Sequence, residues 1–295
     1  MFLSLVHRTI NSSTRLLVNF KKLVNFKKLV NSKNNMKISI IGAGAMGGAI
    51  AEGILKLDGF VAADLTVCDH NKPVLEHFAS LGANSVADNI EAAKGADMVC
   101  VVVKPWHVEK TLTGIKDSLD YNRQTLVVVA AGVSSASILS WMQKDGTAPQ
   151  LVLAMPNIAI AYKASMTYLT PVNTDEQTTA AVVGLFNSLG ETVSIDEDHY
   201  PAATALSCSI AFAMRYARAS IEGAVELGFK AKAAQKIVLQ TMKGAVELLQ
   251  ATGEHPESAI DKVTTPGGLT IRGLNEMEHN GFTSAVIKGI KASKV

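Results

Sequence analysis

Lys37-Ile38-Ser39-Ile40-Ile41 has the character of a short buried strand, and it runs straight into Gly42-Ala43-Gly44-Ala45-Met46-Gly47. An Ala/Ile/Leu-rich helical stretch follows to about residue 57. No other feature of the chain narrows its fold as far. In this order of strand, glycines and helix, Gly42 permits the tight turn, Gly44 lets the backbone approach a pyrophosphate, and Gly47 lets helix and strand pack closely. The helix N-terminus offers unpaired N–H groups and the positive end of its dipole to phosphates. Gly42, Ala43, Gly44, Ala45, Met46 and Gly47 are therefore the expected phosphate cradle of a dinucleotide-binding unit.

The rhythm that follows supports the same fold. Residues 65–69 read as a second strand, 73–81 and 89–94 as helices, and 98–103 as a continuous apolar strand of the kind covered on both faces. Then come a helix over 106–119, a strand over 125–131, a helix over 134–143 and a strand over 151–155. Such βαβα alternation predicts a doubly wound sheet with its ligand crevice beyond the C-terminal strand ends. Those ends carry Asp69, Lys104-Pro105, Ala131-Gly132 and Pro156-Asn157. Asp69 lies where an acid takes the ribose hydroxyls of NAD, whereas His70 and Lys72 just after it suit the extra phosphate of NADP. The residues leave that choice open.

The chain changes character twice. Its 295 residues carry a net charge of +2, with 28 basic and 26 acidic side chains. Residues 1–35 contain Arg8, Arg15, Lys21, Lys22, Lys27, Lys28, Lys33 and no acid, leaving a mildly acidic body with no electrostatic reason to bind nucleic acid. The hexapeptide Leu17-Val18-Asn19-Phe20-Lys21-Lys22 repeats verbatim from Leu23. Six residues advance about 600° around a helix, so the copies form no continuous apolar stripe. This segment is expected to be a disordered basic extension or a targeting segment, with Met36 a plausible start. No apolar run reaches membrane-spanning length. Cys68, Cys100 and Cys208 have no metal spacing and read as buried reduced thiols, which suggests a cytoplasmic setting and no metal.

After about residue 196 the pattern turns helical. Residues 201–227 read as one long helix, apolar nearly all round from 202 to 213 and so expected to be buried, partly against a second copy. Residues 232–251, 270–279 and 283–291 read as further helices. Val263-Thr264-Thr265-Pro266-Gly267-Gly268-Leu269-Thr270 lies between them, with Thr265-Pro266 expected to start the next helix. Two glycines there suit close backbone approach to a ligand, and a helix N-terminus suits a carboxylate. The organisation expected is thus 1–35 extension, 36–196 Rossmann domain and 197–295 helical substrate and dimerisation domain.

These motifs resemble the pyrroline-5-carboxylate reductase family, from Met36 to the C-terminus. The resemblance rests on Ile41-Gly42-Ala43-Gly44-Ala45-Met46-Gly47, Val103-Lys104-Pro105, Ala130-Ala131-Gly132-Val133, Met155-Pro156-Asn157 and, most specifically, Val263-Thr264-Thr265-Pro266-Gly267-Gly268-Leu269-Thr270-Ile271. It implies hydride transfer from NADPH, with NADH possible, to the C=N carbon of 1-pyrroline-5-carboxylate in a homodimer or higher homo-oligomer. It implies substrate binding by Thr265, Gly267, Gly268 and Thr270, with Thr270 orienting the ring nitrogen, and cofactor binding that includes Asn157. The family's Met-Pro-Asn-Thr-Pro becomes Met155-Pro156-Asn157-Ile158-Ala159 here, and where its long helix opens with Ser-Gly-Pro-Ala-Tyr/Phe this chain has Ser207-Cys208-Ser209-Ile210-Ala211-Phe212. Two rivals stay open: another reductase of this architecture, such as a β-hydroxyacid dehydrogenase, which would need a general base, and a noncatalytic nucleotide-binding relative.

Overall fold

The computed structural model describes residues 36–294, so the basic extension expected at 1–35 lies outside the described residues. The described chain falls into two compact units that divide between Ser207 and Cys208.

The first unit is one eight-stranded sheet in the order β3-β2-β1-β4-β5-β6-β7-β8. β1 (Ile38–Ile41), β2 (Leu65–Cys68), β4 (Met98–Val101), β5 (Thr125–Val128) and β6 (Gln150–Met155) fall where the apolar runs predict. They are parallel, joined at one edge by a short β3 (Asn84–Val86). Every residue of β1, β4 and β5 is buried, as continuous apolar strands covered on both faces should be. On one face, α1 (Ala45–Leu55) and α6 (Glu176–Ser188) place Ile50, Ile54, Leu185 and Phe186 against Ile38, Ile40, Met98 and Val127. On the other, α4 (Val108–Ile115) and α5 (Ser135–Met142) place Val108, Leu112, Ile138 and Met142 against Val99, Leu126 and Val128. Between these helices in chain order come α2 (Lys72–Ser80) and α3 (Asn89–Ala93).

The sheet is mixed, which the βαβα rhythm does not foretell. β7 (Ser165–Pro171) turns back antiparallel to β6, and β8 (Gly190–Ser194) pairs parallel with β7. Two helical expectations are corrected. Only Val108–Ile115 of 106–119 is α-helix, flanked by the 3-10 turns Pro105–His107 and Lys116–Ser118, because the proline at 105 opens a tighter first turn. The long helix of 201–227 is two, α7 (Tyr200–Cys208) and α8 (Ile210–Glu226), parted by a turn at Ser209. Its residues are buried on this chain at Ala203, Thr204, Ala205 and Ser207, whereas Ala211, Ala213 and Met214 are exposed.

Besides α8, the second unit contains α9 (Ala231–Thr252), α10 (Pro256–Lys262), α11 (Leu269–His279) and α12 (Phe282–Ala292). Met214, Leu227, Ile237, Val246, Leu248 and Ile287 stand exposed on it. So much apolar surface on one helical unit marks an interaction face. Cys68 and Cys100 are buried as expected, but Cys208 is exposed, because it begins this poorly covered unit. Burial pushes the Cys100 thiol up to about 12, so it stays neutral. No helix among the described residues is long and apolar enough to cross a membrane.

Candidate functional site

The glycine turn is built by close backbone approach. Gly42 has φ +92° and donates its N–H to the Cys68 carbonyl, tying the turn to the end of β2. A Cβ on Gly47 would lie 1.9 Å from the Gly42 carbonyl oxygen, so only glycine lets α1 start against the strand it follows. A Cβ on Gly44 would meet nothing within 4 Å, so open space lies in front of the turn. Gly44 caps α1 with no side-chain hydrogen bond, leaving the first-turn N–H groups for a ligand. An uncapped helix start facing open space across a glycine turn fits the diphosphate of a dinucleotide.

The space opens into a cleft of about 880 Å³ at the C-terminal strand ends. Gly42, Gly44, Ala45, Met46, Asp69, His70 and Lys104 line it. Ala43 lines a shallower neighbouring groove, and Gly47 packs behind the turn. Lys72 does not line the cleft; its Nζ lies 3.9 Å from Glu76, one helical turn along α2. Pro105, Ala131, Gly132 and Asn157 follow neighbouring strand ends without lining the cleft themselves. Ile158, the residue that replaces the family's threonine, does line it.

Asp69 is engaged more fully than its spacing suggests. Its Oδ2 accepts the Ala43 N–H at 2.8 Å and its Oδ1 the Asn71 N–H at 2.8 Å. The carboxylate therefore braces the glycine turn against the end of β2. Cys68 beside it donates through Sγ to Asn89 Oδ1 at 3.2 Å. Burial, then the charges of Asp69, Asp88 and Glu91, push this thiol up to about 12. It is a neutral wall of the cleft.

Much of the far wall comes from residues outside the glycine turn and the strand-end motifs. His107, Lys110, Thr111 and Gly114 line the cleft from one face of α4 and its lead-in turn. Their spacing of three and four residues is a readable helix-face signal. Asp88 and Asn89 line it too, but they follow β3, whose Asn-Ser-Val carries no apolar run.

The expected substrate residues lie in the second unit. Thr265-Pro266-Gly267-Gly268 forms a turn in which the Gly268 N–H donates to the Thr265 carbonyl at 2.9 Å, with Gly267 at φ +71°. The expectation that Thr265-Pro266 starts the helix is corrected: α11 starts at Leu269 with Gly268 as its N-cap, because the proline is taken up by the turn. A Cβ on Gly268 would lie 2.5 Å from Thr265 Oγ1. Gly268 also caps α11 without a side-chain hydrogen bond, so the backbone N–H groups beside Thr270 are unoccupied by any cap. The loop offers what a small carboxylate requires: bare N–H donors at a helix start and the hydroxyls of Thr265 and Thr270. Among the described residues, no group of three or more His, Cys, Asp or Glu side chains is arranged to hold a metal ion.

A glycine turn, strand ends and a cleft gathered at the C-terminal ends of the parallel strands define the class: a dinucleotide-binding Rossmann-type unit followed by a helical one. Comparison with known proteins narrows this. The family "pyrroline-5-carboxylate reductase dimerisation" matches residues 197–295, and "NADP oxidoreductase coenzyme F420-dependent" matches 37–132. Pyrroline-5-carboxylate reductase 2 of Dictyostelium discoideum is 37% identical over 276 residues, covering 88% of this chain and 92% of its own length. The Arabidopsis thaliana pyrroline-5-carboxylate reductase is 32% identical, covering 88% and 93%. Among solved structures, Plasmodium falciparum pyrroline carboxylate reductase with NADP bound superposes with TM-score 0.79 at 25% identity, covering 88% of this chain and 95% of its own. The chain belongs to the pyrroline-5-carboxylate reductase family.

Proposed function

We propose that this chain reduces 1-pyrroline-5-carboxylate to proline with NAD(P)H, the last step of proline biosynthesis. The observation that carries this reading is kinship at 37% identity across both units with a protein of that name. The loop geometry agrees with it. In this reading 36–196 is the cofactor domain and 197–295 the substrate and dimerisation domain, and the exposed apolar helices of the second unit meet a second copy in a homodimer or larger assembly. A cytoplasmic setting and indifference to nucleic acid belong to the same proposal.

When bound, the reduced nicotinamide supplies the hydride. The residues of this chain bind and orient. The α1 N-terminus and glycine turn hold the diphosphate, while Lys104, Pro105, Ala131, Gly132 and Asn157 border the rest of the cofactor. Gly267, Gly268 and Thr265 hold the substrate carboxylate, and Thr270 directs the ring nitrogen. A cyclic imine that arrives protonated accepts hydride without a general acid, so proximity and orientation are the main contribution. Steady-state proline formation from pyrroline-5-carboxylate tests the reading; no turnover with either nucleotide would sink it.

NADPH is the expected preference. The Asp69 carboxylate already accepts two backbone N–H groups, which offsets its repulsion of a 2′-phosphate, and His70 lines the cleft beside it. A tenfold higher kcat/KM with NADH, about 1.4 kcal/mol, would overturn this. Asp69→Asn separates brace from ribose reader. As a brace it serves both nucleotides, so both should lose about tenfold in kcat/KM, because the new amide can accept only one of the two N–H groups. A loss confined to NADH would make Asp69 a reader of ribose hydroxyls instead.

A further inference from the structure

The Met155-Pro156-Asn157 elbow at the end of β6 is held by hydroxyl groups from two flanking elements. Ser207 donates its hydroxyl to the Pro156 carbonyl at 2.8 Å, and the Tyr200 hydroxyl donates to the Ala154 carbonyl at 2.9 Å. From β7, Ser165 Oγ accepts the Asn157 N–H at 3.1 Å, and Thr167 Oγ1 lies 3.2 Å behind it. All four residues are buried. Tyr200 and Ser207 stand seven residues apart in α7, about two turns, so both hydroxyls leave the same helix face. Burial raises the Tyr200 phenol above its ordinary value, so it stays a donor across the working range of pH.

The elbow in turn fixes one side chain. Asn157 Oδ1 accepts the Ala159 N–H at 3.0 Å, which locks the carboxamide and leaves Nδ2 as a donor that no described residue uses. Ile158, the next residue, lines the cofactor cleft.

We propose that Ser207 and Tyr200 are positioning residues for hydride transfer: they aim the Asn157 carboxamide at the bound nicotinamide by pinning the carbonyls just before it. This rests on the reading of Asn157 as a cofactor residue. A buried carbonyl needs a donor in any fold, so stability alone accounts for a hydroxyl here but not for its place beside the Asn157 amide. Donors spent on the carbonyls beside a single unused amide specify a direction as well as a position.

The test compares wild type, Ser207→Ala, Ser207→Thr and Tyr200→Phe on kcat, on KM for NADPH, on melting temperature, and on the kinetic isotope effect with nucleotide deuterated at the transferring carbon. Loss of the Ser207 hydroxyl should lower kcat about tenfold, keep KM for NADPH within about threefold and enlarge the isotope effect, since a misaimed cofactor slows the chemical step. Ser207→Thr should recover most of kcat, because it keeps the hydroxyl. Tyr200→Phe keeps the ring in the core and should shift kcat and the isotope effect in the same direction, so it decides the matter if Ser207→Ala does not fold. An active wild type whose variants lose only melting temperature, with kcat per folded enzyme and isotope effect unchanged, would overturn the positioning role alone. A wild type that forms no proline would overturn the reading of the whole site and this role with it.

Discussion

Gly47→Ala should lower nucleotide affinity about a hundredfold or more, roughly 2.7 kcal/mol. The new Cβ would sit 1.9 Å from the Gly42 carbonyl oxygen, 3.0 Å from its carbon and 3.3 Å from Val102 Cβ. Two of these neighbours are backbone and cannot rotate away, so α1 must lift from the turn. Overpacking of this kind costs roughly 1–3 kcal/mol in stability. It also moves the helix N–H groups away from the diphosphate. Gly44→Ala is the informative partner. Its Cβ meets no protein atom within 4 Å, so the fold should keep its melting temperature. That Cβ occupies the space into which the cradle opens, and nucleotide affinity should still fall at least tenfold, about 1.4 kcal/mol. Equilibrium binding of NADPH beside a thermal melt separates the two effects. A Gly44→Ala protein that binds NADPH as well as wild type would move the diphosphate elsewhere.

Thr270→Ala should cost about 1–3 kcal/mol in kcat/KM for pyrroline-5-carboxylate, roughly five- to 150-fold, with little change in nucleotide affinity. The structure sharpens this expectation. Thr270 is the second residue of α11, and the helix is capped by Gly268, not by a side chain. Alanine has the higher helix propensity, so the variant should melt at the same temperature or slightly above it. A kinetic loss with no thermal loss would mark the hydroxyl as functional. Thr270→Ser should keep most activity unless the methyl group is needed to hold the rotamer. Wild-type kinetics in the alanine variant would remove Thr270 from the substrate site and weaken the case for the whole loop.

What was legible in the sequence follows physical lines. β1, β4 and β5 announce themselves because residues buried on both faces must be apolar in succession. The glycine turn is legible because backbone approach tolerates no other residue. β7 was not legible because its pattern is inverted: Ser165 and Thr167 point inward and are buried, whereas Met166 faces out. Its inner face carries hydroxyls because the elbow draws on them, and apolar alternation misreads such a strand. β8 is a half-exposed edge strand, Gly-Glu-Thr-Val-Ser, with too little apolar content to register. The spacing after Gly47 marks Asp69, but its hold on Ala43 has no signal, since hydrogen bonds across 26 residues leave no local trace. Ser207 and Tyr200 were invisible for the same reason: their partners lie 51 and 46 residues away.

The segment from Glu197 to Ser207 belongs to two descriptions at once. By kinship it opens the dimerisation region, which begins at residue 197. By packing it belongs to the sheet: Glu197 accepts the Ser135 N–H at 2.7 Å, Tyr200 is buried in the core beneath α4 and α5, and Ser207 holds Pro156. For anyone recombining this chain with a relative, that overlap sets the crossover point. A chimaera joined between residues 196 and 197 would import a foreign tyrosine-and-serine face against a native β6, mismatching a core and an elbow in one stroke. A chimaera joined between Ser207 and Cys208 would carry the whole sheet unit intact, and it is the one expected to express in soluble form.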